Sequence, residues 1–165
     1  MKKNLFLVVV LLVLVVSVNA QIRYESPIRF GIGAVVGIPM ADATDFYNLA
    51  YGADILGEYR VTSSFALTLC GSYGSFTKKG GVTINNMKLV SALVGAKYYI
   101  SDNLYGGLQA GVSLKASSGT GTTFILTPAI GYTLTRNIDL SLRYQSQVDS
   151  GYNYSFLGIR AGFTF

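Results

Sequence analysis

Residues 138–147 read Ile-Asp-Leu-Ser-Leu-Arg-Tyr-Gln-Ser-Gln, and the order of their apolar and polar side chains decides the fold. Ile138, Leu140, Leu142 and Tyr144 alternate with Asp139, Ser141, Arg143, Gln145 and Gln147. Successive side chains of a β-strand point to opposite faces, so this period of two marks a strand with two unlike faces.

The same pattern extends outward through the chain. Segment 154–165 sets Leu157, Ile159, Ala161, Phe163 and Phe165 against Gly158, Arg160, Gly162 and Thr164. Segments 28–38, 51–60, 65–76, 88–100, 104–115 and 123–134 alternate in the same way. Three of the breaks are short and rich in turn formers: Thr62-Ser63-Ser64, Ser101-Asp102-Asn103 and Thr135-Arg136-Asn137. The other four, at 39–50, 77–87, 116–122 and 148–153, are longer. Short and long connections alternate strictly, which predicts eight antiparallel strands in an up-and-down barrel whose two ends differ. No segment of helical period and no linker interrupts the pattern, so one all-β domain is expected.

Composition decides which face points inward. Only 13% of the 165 residues are charged, whereas an average soluble domain carries about 25%. Of the 19 glycines, eleven fall on the polar face: 31, 33, 37, 52, 74, 95, 107, 111, 131, 158 and 162. An eight-stranded lumen is only just wide enough for side chains to fill it, so small residues belong inside. The apolar face, with its Phe, Tyr and Leu, then meets lipid, and closure satisfies every backbone group. A soluble barrel with an apolar interior is the competing arrangement, and it would have to crowd those large side chains into the lumen. Tyr59, Phe65, Tyr98, Tyr132 and Phe163 lie near the short-turn ends of their strands, as an interfacial girdle does.

The N-terminus is an export signal. Lys2 and Lys3 precede twelve unbroken apolar residues, Leu5 to Val16, and Ser17-Val18-Asn19-Ala20 supplies the small residues of a cleavage site. Cleavage after residue 20 leaves a domain of residues 21–165. An uncleaved anchor would need about 20 apolar residues.

Chemistry is limited by what is missing. With no His and a single Cys, the chain lacks the usual catalytic triads, most zinc sites and any internal disulfide. Ser75-Phe76-Thr77-Lys78 matches a Ser-x-x-Lys motif without its companion motifs, and Gly31-Ile32-Gly33 opens a strand instead of a helix. No enzyme activity, cofactor or metal is expected. A formal charge of +5 without a basic stripe gives no reason to expect nucleic acid.

A cleaved signal, eight amphipathic strands and the terminal Gly162-Phe163-Thr164-Phe165 resemble the small OmpA/OmpX-type outer-membrane barrels, the porin-family-like "outer membrane protein beta-barrel domain" group. The resemblance implies a monomer in the outer membrane of a Gram-negative bacterium, with outer-membrane lipid around it. It also implies that Phe163 and Phe165 form the signal read by the barrel assembly machinery.

The inward charged set is Arg29, Asp54, Glu58, Arg60, Lys97, Asp139, Arg143 and Arg160, with both signs present. Charges removed from water must pair, so a polar network that fills and rigidifies the lumen is expected. A gated ion path is the sharper alternative. The expected role is structural support of the envelope, or interaction through the four long loops, where Phe46, Tyr47, Lys78, Lys79 and Lys88 look exposed. Narrow porin-like transport of small solutes is the alternative function.

Overall fold

A computed structural model describes residues 27–80, 86–115, 122–149 and 152–165. The export signal therefore lies outside the described residues. Eight strands form one closed barrel in chain order: β1 (Ile28–Ala41), β2 (Tyr47–Arg60), β3 (Phe65–Lys78), β4 (Met87–Tyr99), β5 (Leu104–Lys115), β6 (Thr122–Thr133), β7 (Ile138–Asp149) and β8 (Tyr152–Thr164). Every neighbouring pair is antiparallel, and β8 closes on β1 from Gly31↔Thr164 to Ala41↔Tyr154. Closure leaves no strand edge, the condition for crossing lipid with strands. Among the described residues, no helix is long and apolar enough to cross a membrane.

The faces fall as the alternation requires. Ile32, Ile55, Leu69, Val94, Phe124, Leu142 and Ile159 all stand exposed on the outer wall. Inside, Asp54, Glu58, Thr68, Ser91, Ser113, Thr127, Ser141 and Arg160 are buried. Tyr59, Phe65, Tyr98, Tyr132 and Phe163 are on the outer wall at the tight-turn end, where a girdle belongs.

Space sorts the glycines. A Cβ on Gly95 or Gly111 would sit 2.2 or 2.0 Å from a carbonyl oxygen of the neighbouring strand. At outward-facing Gly71 and Gly106 it would meet nothing within 4 Å. Inward Gly74 and Gly107 have more room, with nearest contacts of 3.8 and 3.6 Å.

The three tight turns share one construction. Val61, Ile100 and Leu134 donate their N–H to the carbonyls of Phe65, Leu104 and Ile138, at 2.9, 2.8 and 2.9 Å. In each turn a hydroxyl one residue later (Thr62, Ser101, Thr135) accepts the N–H three positions on, at 3.0 to 3.2 Å. Only Ser and Thr place a short hydroxyl there while leaving the backbone free to turn.

The long connections are shorter than the sequence predicts. The segment read as loop 39–50 continues β1 to Ala41, forms one helical turn, α1 (Ala43–Phe46), and starts β2 at Tyr47. A bulge between Tyr47 and Leu49 shifts the register against β3 and breaks the alternation that would have revealed this strand. The predicted loops 77–87, 116–122 and 148–153 likewise lose residues to their strands: Thr77, Lys78, Met87, Thr122, Val148, Asp149, Tyr152 and Asn153. Pro128 stands within β6, and the β6–β7 pairing lapses between Leu126↔Ser146 and Ala129↔Arg143, as a residue without an N–H dictates.

Candidate functional site

The lumen holds a charged network toward the tight turns, an apolar layer toward the long loops, and a smaller apolar cluster of Leu56, Cys70, Leu93 and Ile125. In the half toward the tight turns, strand register brings the predicted charges together. On β8, Arg160 donates Nε and Nη2 to Asp54 of β2 at 2.8 and 2.6 Å, and its Nη1 reaches Asp139 of β7 at 3.2 Å. Arg143 adds an Nη1 contact to Asp54 at 3.3 Å. Beside this group, Lys97 on β4 donates to Glu58 Oε2 at 2.8 Å, and Arg60 Nε lies 3.5 Å from Glu58 Oε1.

Two tyrosines join these pairs into one network. Tyr99 donates its hydroxyl to Glu58 at 2.7 Å, and Tyr105 donates to Asp139 at 2.8 Å. Their rings pack with centroids 5.6 Å apart. Arg60 stacks 4.3 Å above the Tyr99 ring, and Lys97 lies 4.6 Å from the Tyr105 centroid. Both tyrosines have inward parity, which is the signal that could have placed them in the predicted set. Of that set, Arg29 is half-buried, pairs in register with Glu58 and lines the same small cavity at the tight-turn mouth.

Glycine makes the central pairing possible. Asp54 and Arg160 stand on strands separated by β1, where Gly33 pairs with both Asp54 and Gly162. The guanidinium lies over Gly33, where a Cβ would approach it to 2.4 Å. Gly131 similarly lies beneath the Tyr105 ring.

The second layer corrects the expectation of a polar lumen throughout. Toward the long loops, Ala43, Tyr47, Ala50, Phe76, Met87, Leu89 and Phe156 form a buried apolar cluster, with Val35, Phe46 and Tyr154 packed against it. The parity of Phe76 and Phe156 puts them inward, so this cluster was legible in the alternation. Tyr47 and Phe46, expected to be exposed loop residues, belong to it: Tyr47 is buried and Phe46 half-buried. Lys78 and Lys88 are exposed, whereas Lys79 is half-buried and donates its Nζ to the Thr44 carbonyl.

Between and within these layers the lumen leaves separate cavities of about 30, 20 and 20 Å³, each of water size. A large concavity lies on the outer wall, floored by Ala34, Ala53 and Gly71 between larger apolar neighbours. Among the described residues, no group of three Cys, Asp or Glu side chains gathers as metal ligands do. Phe163 and Phe165 lie on the outer wall with ring centroids 5.3 Å apart, and Phe165 N–H bonds to the Phe30 carbonyl at 2.8 Å.

Solved structures of the same architecture are known. The attachment invasion locus protein Ail of Yersinia pestis superposes with a TM-score of 0.59 at 17% identity, over 86% of this chain and all of that one. This chain has the fold of the small outer-membrane barrels. The N-terminal barrel domain of Pseudomonas aeruginosa OprF gives 0.56 at 21% identity, over 83% of this chain and 97% of the other. The outer-membrane enzyme PagL gives 0.58 at 12%, over 81% and 98%. No protein-family model and no curated protein matches the sequence. These neighbours support an outer-membrane location, and their roles differ from one another, so the shared fold does not carry a role.

Proposed function

We propose that this chain is an integral outer-membrane barrel that works as a closed, rigid element of the envelope and meets partners through its long-loop end. The occluded lumen carries this reading. Its polar half is crossed by buried ion pairs and its loop half by packed aromatic rings, and the cavities between these described residues are of water size. Eight-stranded barrels have room for filling side chains, whereas aqueous channels come with about sixteen strands. No catalytic role is proposed, because the chain has no His to act as base and its lumen carboxylates are held by cations.

At the loop end, Lys78 and Lys88 stand exposed, and the sequence has no acid between Glu58 and Asp102. An anionic surface partner would meet positive charge on this side of the barrel. Ail has been solved with the heparin analogue sucrose octasulfate, which makes a sulfated saccharide a sensible first probe. Phe163 and Phe165 are proposed as the assembly signal, a role consistent with their exposure at the end of the closing strand.

The test is reconstitution of the folded mature protein into planar bilayers, after outer-membrane fractionation and a gel comparison of unheated and heated samples. A heat-modifiable membrane protein without steady conductance is expected. Reproducible channel steps would replace this reading with narrow transport, and a protein soluble in plain buffer would remove the membrane assignment.

A further inference from the structure

We propose that the barrier to ions in this barrel is the apolar layer at the long-loop end, and that the β1–β2 connection is the lid that completes it. The inference rests on the closed-barrel reading above and names the part that does the closing.

The charged network and the apolar layer at the long-loop end lie in series, with the smaller apolar cluster of Leu56, Cys70, Leu93 and Ile125 beside the charges, and the two resist water differently. Ion pairs can admit water between charges that water solvates well. An apolar constriction excludes ions by dewetting. The upper layer is of that second kind: Tyr47, Phe76 and Phe156 pack with centroids 5.5 and 5.8 Å apart within a cluster of buried apolar side chains. A cavity of about 30 Å³ separates it from Asp54 and Arg143 below.

Part of this layer is supplied by the connection itself. Ala43 of α1 is fully buried, and Tyr47 directly follows α1. The segment bends at Ala41, whose φ of 52° lies in the left-handed region that a residue with a Cβ adopts at a cost. Three polar contacts hold it down. Asp42 accepts the Asn153 N–H at 2.8 Å, the Lys79 N–H donates to the Phe46 carbonyl at 2.9 Å, and the Lys79 ammonium donates to the Thr44 carbonyl. Asp42 and Thr44 are exposed, so water competes for their contacts. The geometry is that of a lid with a strained hinge and a light latch.

Planar-bilayer recordings on the full folded barrel test this with three variants, each first checked for heat-modifiable gel mobility. Phe76→Ala with Phe156→Ala thins the layer and should turn the closed barrel into one with reproducible channel steps. Asp42→Ala with Lys79→Ala changes the latch alone, leaves the lumen packing in place and should produce brief openings. Glu58→Gln with Lys97→Met removes the ion pairs of Glu58 with Lys97 and Arg60 with little change of shape and should leave the barrel closed. The proposal is overturned if the ion-pair variant conducts, or if the latch and aromatic variants both stay closed. Because the latch variant alters only two connection side chains, Asp42 between β1 and β2 and Lys79 after β3, it gives a reading even where the aromatic variant does not fold. A conducting wild type would overturn the closed-barrel reading itself, whereas closed variants of a closed wild type overturn only the lid.

Discussion

Arg160 reaches Asp54 across the bare backbone of Gly33, joining β8 to β2 over the strand between them with contacts of 2.6 to 3.0 Å. A Cβ on Gly33 would lie 2.4 Å from the guanidinium, so this ion pair and the glycine are one device.

Removing the acid from this pair should be costly. In Asp54→Ala, Arg160 keeps only Asp139, and Arg143 loses its carboxylate. Breaking a buried pair by deleting one partner costs about 3–5 kcal/mol. Urea unfolding of the protein in lipid vesicles should show a loss of that size. A loss below about 1 kcal/mol would mean that water already screens the pair.

Filling the glycine should act through the same pair. Gly33→Ala places a Cβ 2.4 Å from the Arg160 guanidinium, and overpacking of this kind costs about 1–3 kcal/mol. Gly71→Ala and Gly106→Ala, where the added carbon meets nothing, should stay within about 0.5 kcal/mol of the wild type. Equal effects at all three positions would argue against a lumen that is short of space.

The outer wall offers a test of its solvent. Leu69 and Val94 are cross-strand partners, 64% and 62% exposed, that would lie against lipid near mid-wall. Leu69→Arg should cost about 2–4 kcal/mol in bilayers, the penalty for a cation on a barrel's lipid face. On a water-exposed wall the same change would stay near 0.5 kcal/mol, and unfolding titrations separate the two.

The turn hydroxyls should be interchangeable in effect. Thr62→Ala, Ser101→Ala and Thr135→Ala each remove an acceptor for one or two backbone N–H groups. About 1 kcal/mol per turn is expected from equilibrium unfolding, the usual net worth of such a bond. Restoration by the Ser↔Thr swap would confirm that the hydroxyl, and not the methyl, matters.

Much of this was visible in the sequence, and the misses have identifiable causes. The alternation around Ile138 and Leu140 locates β7 and its faces because a pleated strand cannot present adjacent side chains to one side. It failed at Tyr47 because a bulge puts two residues opposite one, and the period of two is lost locally. Phe76 and Phe156 had the right parity to be read as inward, yet large aromatic residues at strand ends also suit an interfacial girdle, and their parity was not followed. Lys79 looked like a free loop cation because its partners, Thr44 and Phe46, belong to a connection more than thirty residues away.

By itself, then, the sequence determined the barrel, its eight strands and the face that meets lipid, because each follows from local alternation and from the volume of a small lumen. Only the tertiary structure decided which charges pair, that the lumen is divided into a polar and an apolar layer, and that a folded connection closes one end. Those features depend on the register between strands, and register brings together residues such as Asp54 and Arg160 that no local pattern relates.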